Sequence, residues 1–176
     1  GADDAELRFA RYAENLHKTV LRLGAGDALE FGGARLEVVW PTAGAPEGND
    51  GSLVFRLVFG ERSLLFTGDV EEAGEGSLLR LAAANGWDLR SDVLKVPHHG
   101  SRGASSPAFV AAVAPRWAVV SAPRQSPYGH PHAEAIRRLR EAGASVVQTG
   151  IDGAVGFTTD GHGIAIQRIA EPGTQL

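Results

Sequence analysis

The sequence predicts an α+β chain in which two β-sheets pack face to face with helices outside. Three observations carry that reading. The first third alternates apolar runs with tight turns at Gly32-Gly33 and Gly60-Glu61-Arg62, as hairpins do. The middle alternates strand-like and helix-like patterns. The end returns to strands around Asp160-Gly161.

In order, Asp3 to His17 reads as a helix. Asp3 or Asp4 caps it, and Phe9, Tyr12, Ala13 and Leu16 give one apolar face. Thr19 to Leu23 reads as a short strand and Gly24 to Asp27 as a turn. Ala28 to Phe31 and Ala34 to Trp40 form a hairpin that Pro41 stops. A loop rich in Gly, Pro, Asn and Asp runs from Thr42 to Gly51. Ser52 to Phe59 and Ser63 to Thr67 form a second hairpin, ending at Gly68-Asp69. Glu71 to Asn85 is a helix ended by Gly86. Asp92 to Val96 is a strand that runs into a double histidine. Pro107 opens a helix through Ala114, and Trp117 to Ser121 is a buried strand. Pro123 to His132 is a loop, and Ala133 to Ala142 is an Arg-rich helix that Gly143 ends. Ser145 to Gln148, Ala154 to Thr158 and Gly163 to Gln167 are late strands, and the tail from Glu171 is frayed.

The chain has 176 residues, 43% of them apolar, which suits one domain with a sizeable core. A net charge of -4 argues against a general nucleic-acid or membrane coat. Cysteine is absent, so any metal must use His, Asp, Glu, Asn, backbone carbonyls or water. No run approaches the roughly 18 apolar residues that span a bilayer. Methionine is absent too, which points to processing or to excision from a longer chain, with Gly1-Ala2 as a remnant of cloning.

The candidate chemistry sits at strand ends and in tight turns. His98 and His99 follow an apolar strand and precede Gly100-Ser101. Adjacent strand residues point to opposite faces, so both rings reach one site only where the strand has ended, which Gly100 permits. Neutral imidazole suits zinc, manganese or iron. Asp69 is either the cap of the following helix or a carboxylate bridging two metal ions, held rigidly at its strand end. Ser101, Arg102, Ser105 and Ser106 precede a helix start and either hold an anion or form a plain polar loop. Tyr128-Gly129-His130-Pro131-His132 is a compact turn carrying three polar rings. Arg124 either holds a phosphate bidentately or is a surface charge. His17 and His162 read as surface residues.

Three runs together resemble the metallo-β-lactamase-like domain of ComEC competence proteins. They are Leu65-Phe66-Thr67-Gly68-Asp69, Asp92 to Ser101 through Val96-Pro97-His98-His99-Gly100, and Tyr128 to His132. Asn49-Asp50-Gly51-Ser52-Leu53-Val54 also fits. The resemblance implies an αββα sandwich with two divalent ions, manganese or zinc, at the sheet edges. It implies a bacterial plasma-membrane protein that imports transforming DNA. The soluble domain, on the extracytoplasmic face, degrades the strand that does not enter. DNA and the transmembrane part of the same polypeptide are the implied partners.

Carried over by residue, Asp69 is similar to the bridging carboxylate. The Val-Pro-His-His-Gly run is similar to the superfamily's Val-Pro-Gly-His-Gly, which makes His99 a metal ligand and gives His98 a substrate or supporting role. The expected catalytic set is Asp69, His98 and His99. Ser101, His130, His132 and Asn49 are expected to meet substrate, Asn49 lying near the place of another metal histidine. The superfamily's His-x-His-x-Asp-His motif is absent, so the expectation is a sandwich incomplete at its N-terminal side. Residues 1–18 are then a helix and remnant, 19–168 the C-terminal part of the domain, and 169–176 a tail. Alone, such a chain is expected to bind metal weakly, to cleave little, and to cover its exposed sheet edge by pairing with a second copy. The competing readings are a non-catalytic module that binds DNA or a partner, and a hydrolase of a small phosphoester or lactone.

Overall fold

The computed structural model describes residues 4–169. Asp3, the Gly1-Ala2 pair and the tail from Glu171 lie outside the described residues. Helix α1 (Asp4–Asn15) stands where the sequence puts it. Its apolar stripe does not enter the core. Phe9 and Tyr12 are each 63% exposed, and in this stripe Ala13 alone is buried. Thr19 to Leu23 forms no strand ladder. β propensity needs a partner strand to act on, and Val20 and Leu21 instead lie exposed.

One seven-stranded sheet dominates. Its strands are β1 (Ala28–Phe31), β2 (Ala34–Trp40), β3 (Val54–Phe59), β4 (Arg62–Phe66), β5 (Val93–Lys95), β6 (Trp117–Val120) and β7 (Ser145–Gln148), in that spatial order. The β1 to β4 pairings are antiparallel; tight turns read from the sequence close β1–β2 and β3–β4, and the long loop after Trp40 joins β2 to β3. From β4 to β7 the pairings are parallel, because a helix replaces the tight turn at each crossover. These helices are α2 (Glu72–Asn85), α3 (Pro107–Val113) and α4 (Ala133–Glu141).

All three helices share one core with the sheet. Leu78 and Ala82 of α2, Phe109, Val110 and Val113 of α3, and Ile136 and Leu139 of α4 cluster with Leu65, Leu94, Ala118 and Val120. Leu65 and Leu94 are fully buried, each stabilising the fold by about 1.5–3 kcal/mol relative to exposure. After the one-turn helix α5 (Thr149–Asp152), which the sequence did not announce, β8 (Ala154–Thr159) and β9 (Ile164–Ile169) form a separate antiparallel pair. Phe157 of this hairpin meets Trp117 edge to face, with centroids 6.4 Å apart. Its turn accepts from the Glu61 N–H through the Gly161 carbonyl. Val155 and Phe157 share an apolar cleft with Leu64, Phe66 and Val93. The hairpin thus faces the sheet from the side away from the helix core. Two sheets face each other as the sequence predicts, and among the described residues the second has two strands.

Candidate active site

The candidate residues gather beyond the C-terminal ends of the parallel strands, where loops leave β4, β5 and β6. Each loop leaves its strand by a sharp turn. Gly68 follows β4 with φ +53°, and a Cβ there would lie 2.8 Å from the Ser52 Cβ. Gly100 has φ +80°, and its Cβ would lie 2.7 Å from the Pro131 Cβ. Glycine is the residue that fits both places. The two turns bring Asp69 and the loop around Pro131 against the double histidine.

Asp69 is not the cap of α2. Asp50, from the loop before β3, accepts the Glu71 and Gly74 N–H groups through Oδ1 at 3.0 and 2.9 Å. Trp40 holds that loop down by donating its indole N–H to the Asp50 carbonyl. The capping demand is met from outside, and the Asp69 carboxylate points elsewhere. Its Oδ1 lies 3.6 Å from His99 Nε2. The His99 Nδ1 sits 2.6 Å from the Ser121 carbonyl oxygen. A carbonyl only accepts, so Nδ1 carries a hydrogen, and Nε2 is the nitrogen turned toward Asp69.

His98 and His99 both adopt positive φ, 43° and 54°, a region that side chains rarely enter. This left-handed kink is how neighbouring imidazoles share one face after the strand ends. The His98 N–H donates to the Gly68 carbonyl at 3.2 Å, which ties the histidine turn to the aspartate turn. His98 Nδ1 lies 2.8 Å from Glu71 Oε1, and the Ser101 hydroxyl donates to the same oxygen at 3.0 Å. Asn49 Nδ2 lies 3.4 Å from His98 Nδ1.

His130 joins the group. Its ring centroid is 5.2 Å from that of His98 and 5.2 Å from that of His132. Desolvation, reinforced by the surrounding imidazoles, holds His130 below the ordinary histidine range. Lys95, at the end of β5, donates to the Val96 carbonyl at 2.8 Å. Burial pushes its ammonium below the usual lysine value, and the Asp69 carboxylate pulls the other way. Beside His99 opens a cleft of about 490 Å³, lined by Ser121, Pro123, Tyr128, His130 and Thr149.

The fold thus brings Asn49, Asp69, His98, His99, Ser101, His130 and His132 to one end of the sheet. Ser101 is 8% exposed with its hydroxyl committed to Glu71, so it supports its neighbours and does not face solvent. The helix start at Ser105-Ser106 does hold a carboxyl group, but an internal one. Glu75 of α2 takes both N–H groups, at 2.6 and 2.8 Å. Arg124 is spent on the Gly150 carbonyl. His17 and His162 are exposed and distant in role, His162 pairing loosely with Glu61. Glu71 was missed by sequence reasoning. A glutamate at a helix start is an ordinary residue there, and nothing in its spacing to His98 or Ser101 points to a shared bond.

Asp69 Oδ1 and His99 Nε2 are hard and borderline donors that suit a divalent ion. His98 Nδ1 is turned to Glu71, and no cluster of three or more His, Asp or Glu able to hold an ion occurs among the described residues. The residues fit part of a metal site. A hydrolytic zinc takes three protein ligands or more, so they do not complete one.

The family model of the metallo-beta-lactamase superfamily matches residues 2–123. The chain belongs to the metallo-β-lactamase superfamily. It is 32% identical over 133 residues to ComE operon protein 3 of Bacillus subtilis, which covers 75% of this chain and 17% of that protein. It is 38% identical over 121 residues to Competence protein ComA of Neisseria gonorrhoeae, covering 69% of this chain and 17% of that protein. The chain therefore spans about one sixth of the length of these relatives. Among solved structures, a mutant of CmlA beta-hydroxylase superposes with a TM-score of 0.53 at 17% identity, over 91% of this chain and 36% of that one. That likeness shows the metallo-β-lactamase fold alone. No helix of the described residues is long and apolar enough to cross a membrane.

Proposed function

We propose that this chain forms part of a metal-dependent phosphodiesterase that degrades the non-imported DNA strand during DNA uptake. The observation that carries the reading is the Asp69–His99 pair, 3.6 Å apart with His99 Nε2 turned inward by the bond from Nδ1 to the Ser121 carbonyl. The competence names of two relatives support the DNA-uptake setting. On this reading the remaining ligands and a membrane anchor belong to a protein as long as these relatives, of which the chain spans about one sixth. Manganese or zinc, in a pair of ions, is the cofactor.

When bound, such ions supply Lewis-acid stabilisation of phosphoryl oxygens and make water acidic enough to attack near neutral pH. The chain's own residues do the rest. Asp69 and His99 each hold a lone pair at a fixed point. His130 lines the cleft beside His99, where it meets the adjoining nucleotide, while His132 beside His130 and Asn49 beside His98 orient the phosphodiester.

The test is cleavage of single- and double-stranded DNA by the longer protein that contains this segment, with manganese or zinc added. Asp69→Ala and His99→Ala are each expected to abolish it. Unchanged cleavage in both variants overturns the reading. DNA binding that a chelator leaves intact, with no cleavage, assigns a non-catalytic binding module instead. Turnover of a small phosphoester or lactone, with DNA untouched, assigns a small-molecule hydrolase.

A further inference from the structure

We propose that Glu71 is a positioning residue that fixes the tautomer of His98. Its Oε1 accepts at 2.8 Å from His98 Nδ1 and at 3.0 Å from Ser101 Oγ. An ionised carboxylate has no hydrogen to give, so the His98 hydrogen is on Nδ1, and Nε2 is left as the acceptor on the far edge of the ring. That ring stands 5.2 Å from His130 and 6.3 Å from His99 between centroids, so it belongs to the same group of imidazoles. The kinetic role rests on the hydrolytic reading above; the tautomer assignment does not.

The carboxylate is itself held. The Glu71 N–H donates to Asp50 Oδ1 at 3.0 Å, and the next N–H, of Glu72, donates to the Gly103 carbonyl at 2.8 Å. The loop from Ser101 to Gly103 is thereby drawn over the start of α2, and Gly103 N–H returns a bond to Ser101 Oγ at 3.3 Å. His98 is held on its backbone side by Gly68. Asn49 Nδ2, 3.4 Å from the same Nδ1, asks that nitrogen to accept. The shorter, charge-assisted bond to Glu71 decides the matter. Turning the Asn49 amide so that its oxygen faces the ring satisfies both contacts.

A carboxylate behind an imidazole fixes which nitrogen carries the hydrogen and keeps the ring oriented. Here the far nitrogen is free to accept a hydrogen from the attacking water or a hydroxyl of the substrate. The opposite tautomer would present N–H at the same place. Glu71 thus decides whether His98 accepts or donates.

The tautomer is read by two-bond proton–nitrogen NMR on this chain labelled at histidine nitrogen. In the unaltered chain His98 is expected to show a protonated Nδ1 and a bare Nε2. Glu71→Leu keeps the size, removes both carboxylate acceptors and leaves the Asn49 amide, 3.4 Å away, as the donor beside Nδ1, and is expected to shift the hydrogen toward Nε2. Ser101→Ala leaves Glu71 in place and is expected to keep the wild-type pattern. A protonated Nε2 with a bare Nδ1 in the unaltered chain, or the same pattern in Glu71→Leu, overturns the proposal. In the longer, metal-loaded protein, Glu71→Leu is expected to lower kcat about 10- to 100-fold with KM unchanged; an unaltered kcat also overturns it. A fixed tautomer in a protein that cleaves nothing supports the Glu71 assignment and removes the hydrolytic reading alone.

Discussion

Asp69 faces His99 because Gly68 precedes it in a left-handed turn, with Ser52 packed where a side chain would be. Ser52 also accepts the Asp69 N–H at 3.1 Å, so the same contact orients the carboxylate. Gly68→Ala would strain the turn and push Ser52 aside. We expect a loss of about 2 kcal/mol, read as a lower urea midpoint, because a side chain in that region costs on the order of 1–3 kcal/mol. An unchanged midpoint would mean that Ser52 yields freely. The metal donors make a second prediction. Calorimetry with zinc should find weak binding to this chain, and Asp69→Ala or His99→Ala should weaken it further by at least about tenfold, since loss of even a supporting partner costs that much. Equal zinc affinity in all three proteins would place the ion elsewhere.

At the scale of elements, the α2–α3 contact turns on one buried carboxylate. Glu75 is fully buried and accepts the N–H groups of Ser105 and Ser106, just before α3. Burial raises its pKa above the ordinary 4.5, with the two N–H bonds opposing. The protonated form is thus favoured more in the folded chain than in the unfolded one. Its contribution is present below the ordinary glutamate value and is lost as pH rises through the raised value. Glu75→Gln should remove that decline from the stability profile. It should also cost about 1–3 kcal/mol, since one amide acceptor cannot serve two donors. A variant with the same slope and midpoint would show that the carboxyl is not the joint.

The hairpins and crossover helices were legible because local signals set them, such as Gly32-Gly33, Gly86 and the apolar run before His98. The Thr19 to Leu23 strand failed because a ladder depends on a partner that local pattern does not reveal. The choice between cap and ligand at Asp69 was open for the same reason. Asp50 supplies the cap from 21 residues before Glu71, a distance over which sequence carries no geometric information. The gathering of Asp69 with the double histidine was readable from motifs, whereas the Glu71–His98–Ser101 bonds join residues 27 and 30 apart through tertiary packing.

For the whole molecule, charge decides how DNA is met. The net charge is -4, and many arginines are already engaged. Arg62 pairs with Asp92 at 3.0 Å, Arg56 with Glu37 at 3.2 Å and Arg137 with Glu141 at 2.7 Å. Arg138 spends its guanidinium on the carbonyls of Arg102, Ala104 and Ser105, pinning α4 to the loop after the double histidine. A surface so arranged neutralises few phosphates. Proteins that contact 6–10 phosphates show a steep loss of affinity with salt, with a slope of roughly -0.9 per contact. This chain should bind DNA weakly and show a slope no steeper than about -2, since contacts are confined to the site. Fluorescence anisotropy across a salt series measures it. A slope near -6 would require a basic face that this charge distribution does not provide, and would move DNA recognition away from the Asp69–His99 end of the sheet.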